Sequence, residues 1–137
     1  MSSGFVHLHT HSSYSPMWGI PTLETLCQAA RTQGQDKLAL TDTNGLYGAI
    51  RFLEVAKHEG LKPILGAELV HKAHRAVLLA KTPAGYANLC RLLSARHEES
   101  TFDFIAAVAG YRAGLIILSD DLSALKAWRK DSPKDLY

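Results

Sequence analysis

Three histidines, His7, His9 and His11, recur at every second position of Phe5-Val6-His7-Leu8-His9-Thr10-His11-Ser12. In an extended chain, alternate side chains project to the same side. Two imidazoles on one face, two residues apart, can reach one divalent metal at its usual bond length. A bland reading leaves the same histidines facing solvent or satisfying backbone groups, but three in register as a strand runs out into a loop favour metal. Two carboxylates extend the pattern. Asp42 directly follows the apolar run Leu38-Ala39-Leu40-Thr41, and Glu68 comes near the end of Pro63-Ile64-Leu65-Gly66-Ala67-Glu68. In parallel α/β folds, functional side chains gather at the carboxyl ends of the strands. Taken alone, Asp42 could cap a turn and Glu68 could be a solvated edge residue; their shared placement is what joins them to the histidines. Asp120 and Asp121 follow a further strand, where either helix capping or metal ligation suits them. His71 and His74 precede a strand and are weaker candidates. His58 and His97 lie on helices beside glutamates and read as solvated.

The elements that must carry these residues follow from hydrophobic periodicity. Strands are expected over Phe5 to His9, Lys37 to Thr41, Lys62 to Leu69, His74 to Ala80 and Leu115 to Leu118. Helices are expected over Thr22 to Gln33, Leu46 to Glu59, from Pro83 onward, over Phe102 to Val108, and over Leu122 to Lys130. The first helix places Leu23, Leu26, Cys27 and Ala30 on one stripe. Thr82 and Pro83 form an N-cap and first-turn pair. The polar segment from Asp131 to Tyr137 is expected to trail off. Strands alternating with helices imply βαβ units and a parallel sheet. Neither GxGxxG nor GxxxxGK[ST] occurs, so the common nucleotide-binding sheets lack their phosphate loop here, and a barrel-like α/β fold is the better expectation. Five strands cannot close an eight-stranded barrel.

Composition narrows the function classes. A chain of 137 residues with 47% apolar and 20% charged residues suits one globular domain rather than a disordered segment. A net charge of +2 without a basic stripe argues neither for nor against nucleic acid. Trp18 and Trp128 have no neighbours that would make a base-stacking platform, and no GxSxG elbow supports a serine hydrolase. Cys27 and Cys90 each sit beside a leucine in a helical pattern and read as reduced, buried hydrophobes. No membrane span or signal peptide is evident, so the cytoplasm is the expected location.

The motifs resemble a known family. Residues 5–15, from Phe5 to Ser15, resemble the opening of the PHP domain of bacterial DNA polymerase III alpha subunits, of replicative or error-prone type. Leu40-Thr41-Asp42-Thr43-Asn44-Gly45-Leu46-Tyr47-Gly48-Ala49 resembles the second motif, and Lys62-Pro63-Ile64-Leu65-Gly66-Ala67-Glu68 the third. Residues 78–89 and 114–119 are similar to the polymerase branch rather than to stand-alone phosphatases. The resemblance implies a distorted, TIM-like (β/α)7 barrel of parallel strands, incomplete in this chain. Residues 1–137 would be its N-terminal part, with the rest of the barrel and the polymerase domains absent. It also implies a cluster of up to three metal ions, with phosphoesterase or 3′–5′ exonuclease activity in the best-preserved members. By position, His9 and His11 match the first-motif ligands and Glu68 the glutamate ligand; His7 is not counted among the ligands.

Departures from the pattern shape the functional expectation. Trp18 stands where metal-binding members have Asp, Thr43 where they have His, and Ser119-Asp120-Asp121 where they have Ser-Gly-Cys. The expected metal set is therefore His9, His11 and Glu68 with Asp42 and Asp121, holding a divalent ion (Zn or Mn, with Mg admissible) weakly or not at all. The implied role is structural, within a DNA-directed DNA polymerase acting in replication or repair. The implied partners are the remaining polymerase domains, DNA through the parent chain and other replisome subunits. An active phosphoesterase or proofreading nuclease is the alternative, and a stand-alone PHP phosphatase a third reading. A partial barrel leaves strand edges free, so self-association is also expected.

Overall fold

A computed structural model describes residues 4–137. Helix α1 (Leu23–Thr32) precedes strand β1 (Lys37–Leu40), and helix α2 (Ala49–His58) leads to strand β2 (Lys62–His71). Strand β3 (His74–Ala80) is followed by helices α3 (Pro83–Glu98) and α4 (Phe104–Tyr111). Strand β4 (Leu115–Leu118) and helix α5 (Leu122–Asp131) complete the regular elements. Helices α1, α3 and α4 start where side-chain oxygens can satisfy their first free amides. Thr22 Oγ1 accepts from the Thr25 amide at 3.2 Å, Thr82 Oγ1 from Gly85 at 3.0 Å, and Asp103 from Ala106 at 3.0 Å.

The sheet has the order β1-β2-β3-β4 and is mixed rather than all parallel. β1 and β2 pair in parallel through α2, whereas β2–β3 and β3–β4 are antiparallel. The expected parallel sheet fails here for a geometric reason. A parallel crossover needs a dozen or more residues, and only Lys72 and Ala73 separate β2 from β3, with Lys72 at φ 54°. The α3–α4 pair then returns the chain to the end of the sheet it left, so that Leu115 pairs with Ala80.

Two flanking segments differ from expectation. Residues 7–10 run beside β1 without forming a regular strand: the Ala39 amide donates to His7 O and the Thr41 amide to Thr10 O, both at 3.0 Å. Two steps along β1 are thus matched by three along the N-terminal segment, which breaks the ladder. The last residues do not trail off. The Ile117 amide donates to Asp135 O and the Tyr137 amide to Ile117 O, both at 2.9 Å, laying the tail against β4. Arg112 holds it there through the carbonyls of Trp128, Ser132 and Lys134.

Two large apolar cores support this frame, beside a small cluster of Ala39, Val77 and Leu79. One joins α1 and α2 to β1 through Cys27, Leu38, Leu40 and Phe52; the other packs Leu69, Leu78, Leu89, Phe104, Ile117 and Trp128 between the sheet and α3–α5. Trp128 is fully buried and donates from its indole to Ile105 O at 2.9 Å. Both cysteines are free thiols, Cys27 buried and Cys90 half-buried. Strand register sets one row across the sheet: Thr43 bridges Glu68, Glu68 faces Val77, and Val77 faces Leu118. The chemistry collects at that row.

Candidate metal centre

His9 and His11 leave the segment beside β1 just as Glu68 rises from β2. Glu68 is held in place by two backbone hydrogen bonds to the segment that follows β1. Its amide donates to Asp42 O at 3.1 Å, and its carbonyl accepts from the Asn44 amide at 2.8 Å. The three side chains converge. His9 Nε2 lies 3.3 Å from Glu68 Oε1, His11 Nε2 lies 3.1 Å from Glu68 Oε2, and the two Nε2 atoms are 3.2 Å apart. Metal–ligand bonds of about 2.0 Å meeting at a tetrahedral angle would put neighbouring ligand atoms about 3.3 Å apart. The observed triangle has that size, so the donor set fits one small divalent ion on one face. Among the described residues, these three form the one group of His, Cys, Asp or Glu donors close enough to share a cation.

A metal needs its imidazole ligands neutral. Burial holds His9 below the usual imidazole range, against the opposing pull of the Glu68 carboxylate. Glu68 is itself buried, and Thr43 Oγ1 donates to its Oε2 at 3.0 Å. A residue read from sequence as a lost ligand thus hydrogen-bonds to an expected one. Beside His9 and Glu68 opens a cavity of about 380 Å³, lined also by Arg75, Ser119, Asp120 and Tyr137. Arg75 pairs across it with Asp120 at 2.5 Å. Trp18 is well exposed, with its ring centroid 6.2 Å from that of His11.

The other expected ligands, Asp42 and Asp121, are not part of this cluster, and their carboxylates are engaged elsewhere. Asp42 is 2% exposed. Its Oδ1 accepts from the Ser12 amide at 2.7 Å and from Ser15 Oγ at 2.6 Å, and its Oδ2 accepts from Ser12 Oγ at 2.7 Å. Asp121 caps α5, accepting from the Ser123 and Ala124 amides at 3.0 and 3.1 Å, and its second oxygen lies 2.5 Å from His74 Nδ1. The hydrogen bond to His74, then those from Ser123 and Ala124, hold the Asp121 carboxyl well below the usual carboxylate range. His74 stacks on Phe104 at 5.3 Å, and His71 sits edge-on to Phe102 at 5.1 Å. His58 is exposed beside Glu59, whereas His97, although exposed, spends Nε2 on Asn44 O at 2.7 Å. His7 lies edge-on to Phe5. Sequence reasoning missed Ser12, Ser15 and Thr43 as working parts of the site. The signal available was the density of small hydroxyl residues directly after the second and third histidines.

The chain matches the PHP domain family over residues 7–128. It is 47% identical over 94 residues to an error-prone DNA polymerase of Symbiobacterium thermophilum, covering 68% of this chain and 9% of that protein. It is 35% identical over 140 residues to the DNA polymerase III subunit alpha of Treponema pallidum, covering 87% of this chain and 12% of that protein. The chain therefore spans about a tenth of the length of these curated relatives. Among solved structures it resembles one described as a metal-dependent phosphoesterase of Bifidobacterium adolescentis, with a TM-score of 0.53 and 21% identity over 69% of this chain and 34% of that one. That likeness concerns the fold. The family match runs from the first of the three histidines to the buried tryptophan of the last helix, taking in every residue of the cluster, and the chain belongs to the PHP domain family.

Proposed function

We propose that this PHP domain works inside a DNA polymerase III alpha-type chain, replicative or error-prone, as a structural module built around one divalent ion. His9, His11 and Glu68 would hold the ion, with zinc or manganese suiting two imidazoles and a carboxylate, and magnesium less so. When bound, the ion would tie the segment 9–11 to β2 and supply a Lewis acid at the rim of the cavity. The observation that carries the reading is the 3.1–3.3 Å triangle of donor atoms. The remaining acids argue against hydrolysis. In-line displacement of a phosphoester by two ions needs them a few ångströms apart, clamping both the attacking and leaving oxygens. Asp42 and Asp121, which would have to supply a second ion, are engaged in hydrogen bonds of their own.

The mixed sheet is read as the opening part of a distorted (β/α)7 barrel that the parent chain completes. The other polymerase domains would be the first partners, with DNA and further replisome subunits reached through them, in the cytoplasm. Among the described residues, no helix is long and apolar enough to cross a membrane. The exposed Met17, Trp18 and Ile20 offer an apolar surface for such a neighbour or for a second copy. A second reading, an active phosphoesterase or 3′–5′ proofreading nuclease, draws support from Arg75 in the cavity beside His9, where a guanidinium could hold a phosphate. One experiment separates the two. The purified chain, loaded with manganese or zinc, is incubated with a 3′-labelled single strand beside a His9→Ala, His11→Ala control. Metal uptake near one ion per chain without cleavage is the expected result. Metal-dependent cleavage that vanishes in the control would establish the second reading.

A further inference from the structure

We infer that Asp42 is a positioning residue of the metal centre, acting on His11 and Glu68 from beneath rather than ligating the ion. The inference rests on the one-ion reading above. Asp42 is a buried carboxylate that accepts three hydrogen bonds, all from neutral donors, and no ion pair involving it is found among the described residues. An ionised group in that setting is costly unless a compensating charge is near. A cation on the adjacent cluster would supply it.

The connections run outward from Asp42 in two directions. Toward His11, the carboxylate grips Ser12 through both its amide and its hydroxyl, which fixes the backbone one residue past the ligand. Toward Glu68, it accepts from Ser15 Oγ; that hydroxyl in turn accepts from the Thr43 amide at 2.9 Å, and Thr43 Oγ1 donates to Glu68. The loop between is held tightly. The amides of Ser15 and Ser13 donate to Ser12 O and Pro21 O, both at 2.9 Å, and a Cβ on Gly19 would fall 2.0 Å from Ser12 O. Both ligands are thereby referred to one buried carboxylate. Groups that orient metal ligands from behind typically change affinity about 10- to 100-fold when altered.

Two substitutions separate charge from connection. Asp42→Asn keeps an oxygen for the Ser12 amide and the Ser15 hydroxyl, and its new NH2 can donate to Ser12 Oγ, so the contacts survive while the charge is lost. Ser15→Ala keeps the charge and cuts the path to Thr43 and Glu68. Zinc affinity is measured by chelator competition on the folded chain, with circular dichroism verifying the fold and metal analysis giving the stoichiometry. Wild type binding one zinc, with each variant folded, still binding one zinc and weakened about 10- to 100-fold, is the expected result. A purely structural role would lower the melting temperature of the metal-free chain and leave zinc affinity of the folded variants unchanged; that outcome overturns the inference. Loss of the ion from Asp42→Asn, equal to that from His9→Ala, would make Asp42 a ligand and also overturn it. If Asp42→Asn fails to fold, Ser15→Ala and Thr43→Val decide, and unchanged affinity in both refutes the relay. Absence of zinc binding by the wild type would sink the one-ion reading itself, a failure distinct from any seen only in the variants.

Discussion

Asp121 offers the clearest quantitative test, because a helix cap and a metal ligand respond differently to the same substitutions. Its Oδ1 accepts from two first-turn amides of α5 and from Ser123 Oγ, and its Oδ2 meets His74 Nδ1. Removing a cap of this kind costs about 1 kcal/mol. Losing a hydrogen bond to a partly exposed partner costs about another 1 kcal/mol, below the about 1.5–3 kcal/mol of hydrogen bonds to charged groups because His74 remains in contact with water. Asp121→Ala should therefore destabilise the chain by about 2 kcal/mol. With an unfolding entropy near 2.1 cal/mol/K per residue over 137 residues, the melting temperature should fall by about 7 °C. Asp121→Asn keeps a capping oxygen and should lose about half as much. The pH dependence has a definite sign. The folded carboxyl lies below its unfolded value, so its contribution is present above the ordinary Asp range near about 4 and is lost as pH falls below it. The gap between wild type and Asp121→Ala should thus be established by pH 5 and narrow in more acidic buffer. Differential scanning calorimetry across pH, with and without zinc, reads all of this. An Asp121→Asn chain with wild-type stability but diminished zinc uptake would refute the capping account and restore Asp121 as a ligand.

Other outcomes follow from the same geometry. Trp128→Ala should cost about 3–5 kcal/mol in urea unfolding, since the side chain is fully buried against Phe104 and its indole bond to Ile105 would be lost. Zinc at a hundred times its dissociation constant should stabilise the chain by about 2.7 kcal/mol, reversibly with chelator, and a His9→Ala, His11→Ala chain should show no such shift in a thermal melt. Burial pushes the Cys27 thiol up to about 11, so at pH 8 a thiol reagent should label Cys90 and leave Cys27 until the chain unfolds, as mass spectrometry of the labelled peptides would read out.

What sequence alone determined about this protein was mostly local. The i, i+3, i+4 stripes of Leu23, Leu26, Cys27 and Ala30 specify α1, and Thr82-Pro83 marks the start of α3, because periodicity and capping depend on neighbours within a turn or two. The alternation of His9 and His11 at a strand-like end likewise carries its geometry within three residues. Family motifs spread over residues 5–119 added the order of the elements. Tertiary structure decided what depends on groups distant in the chain. The direction of β3 turned on a two-residue connection that leaves no room for a crossover, although its apolar pattern would serve either direction. Asp42, Glu68 and Asp121 look equivalent in sequence, as acids near strand ends. They diverge because Asp42 meets Ser12 and Ser15 some thirty positions away, Asp121 meets His74 and its own helix, and Glu68 meets two imidazoles. A carboxylate takes its role from the donors that surround it in space, and sequence spacing records only where the strand that carries it ends.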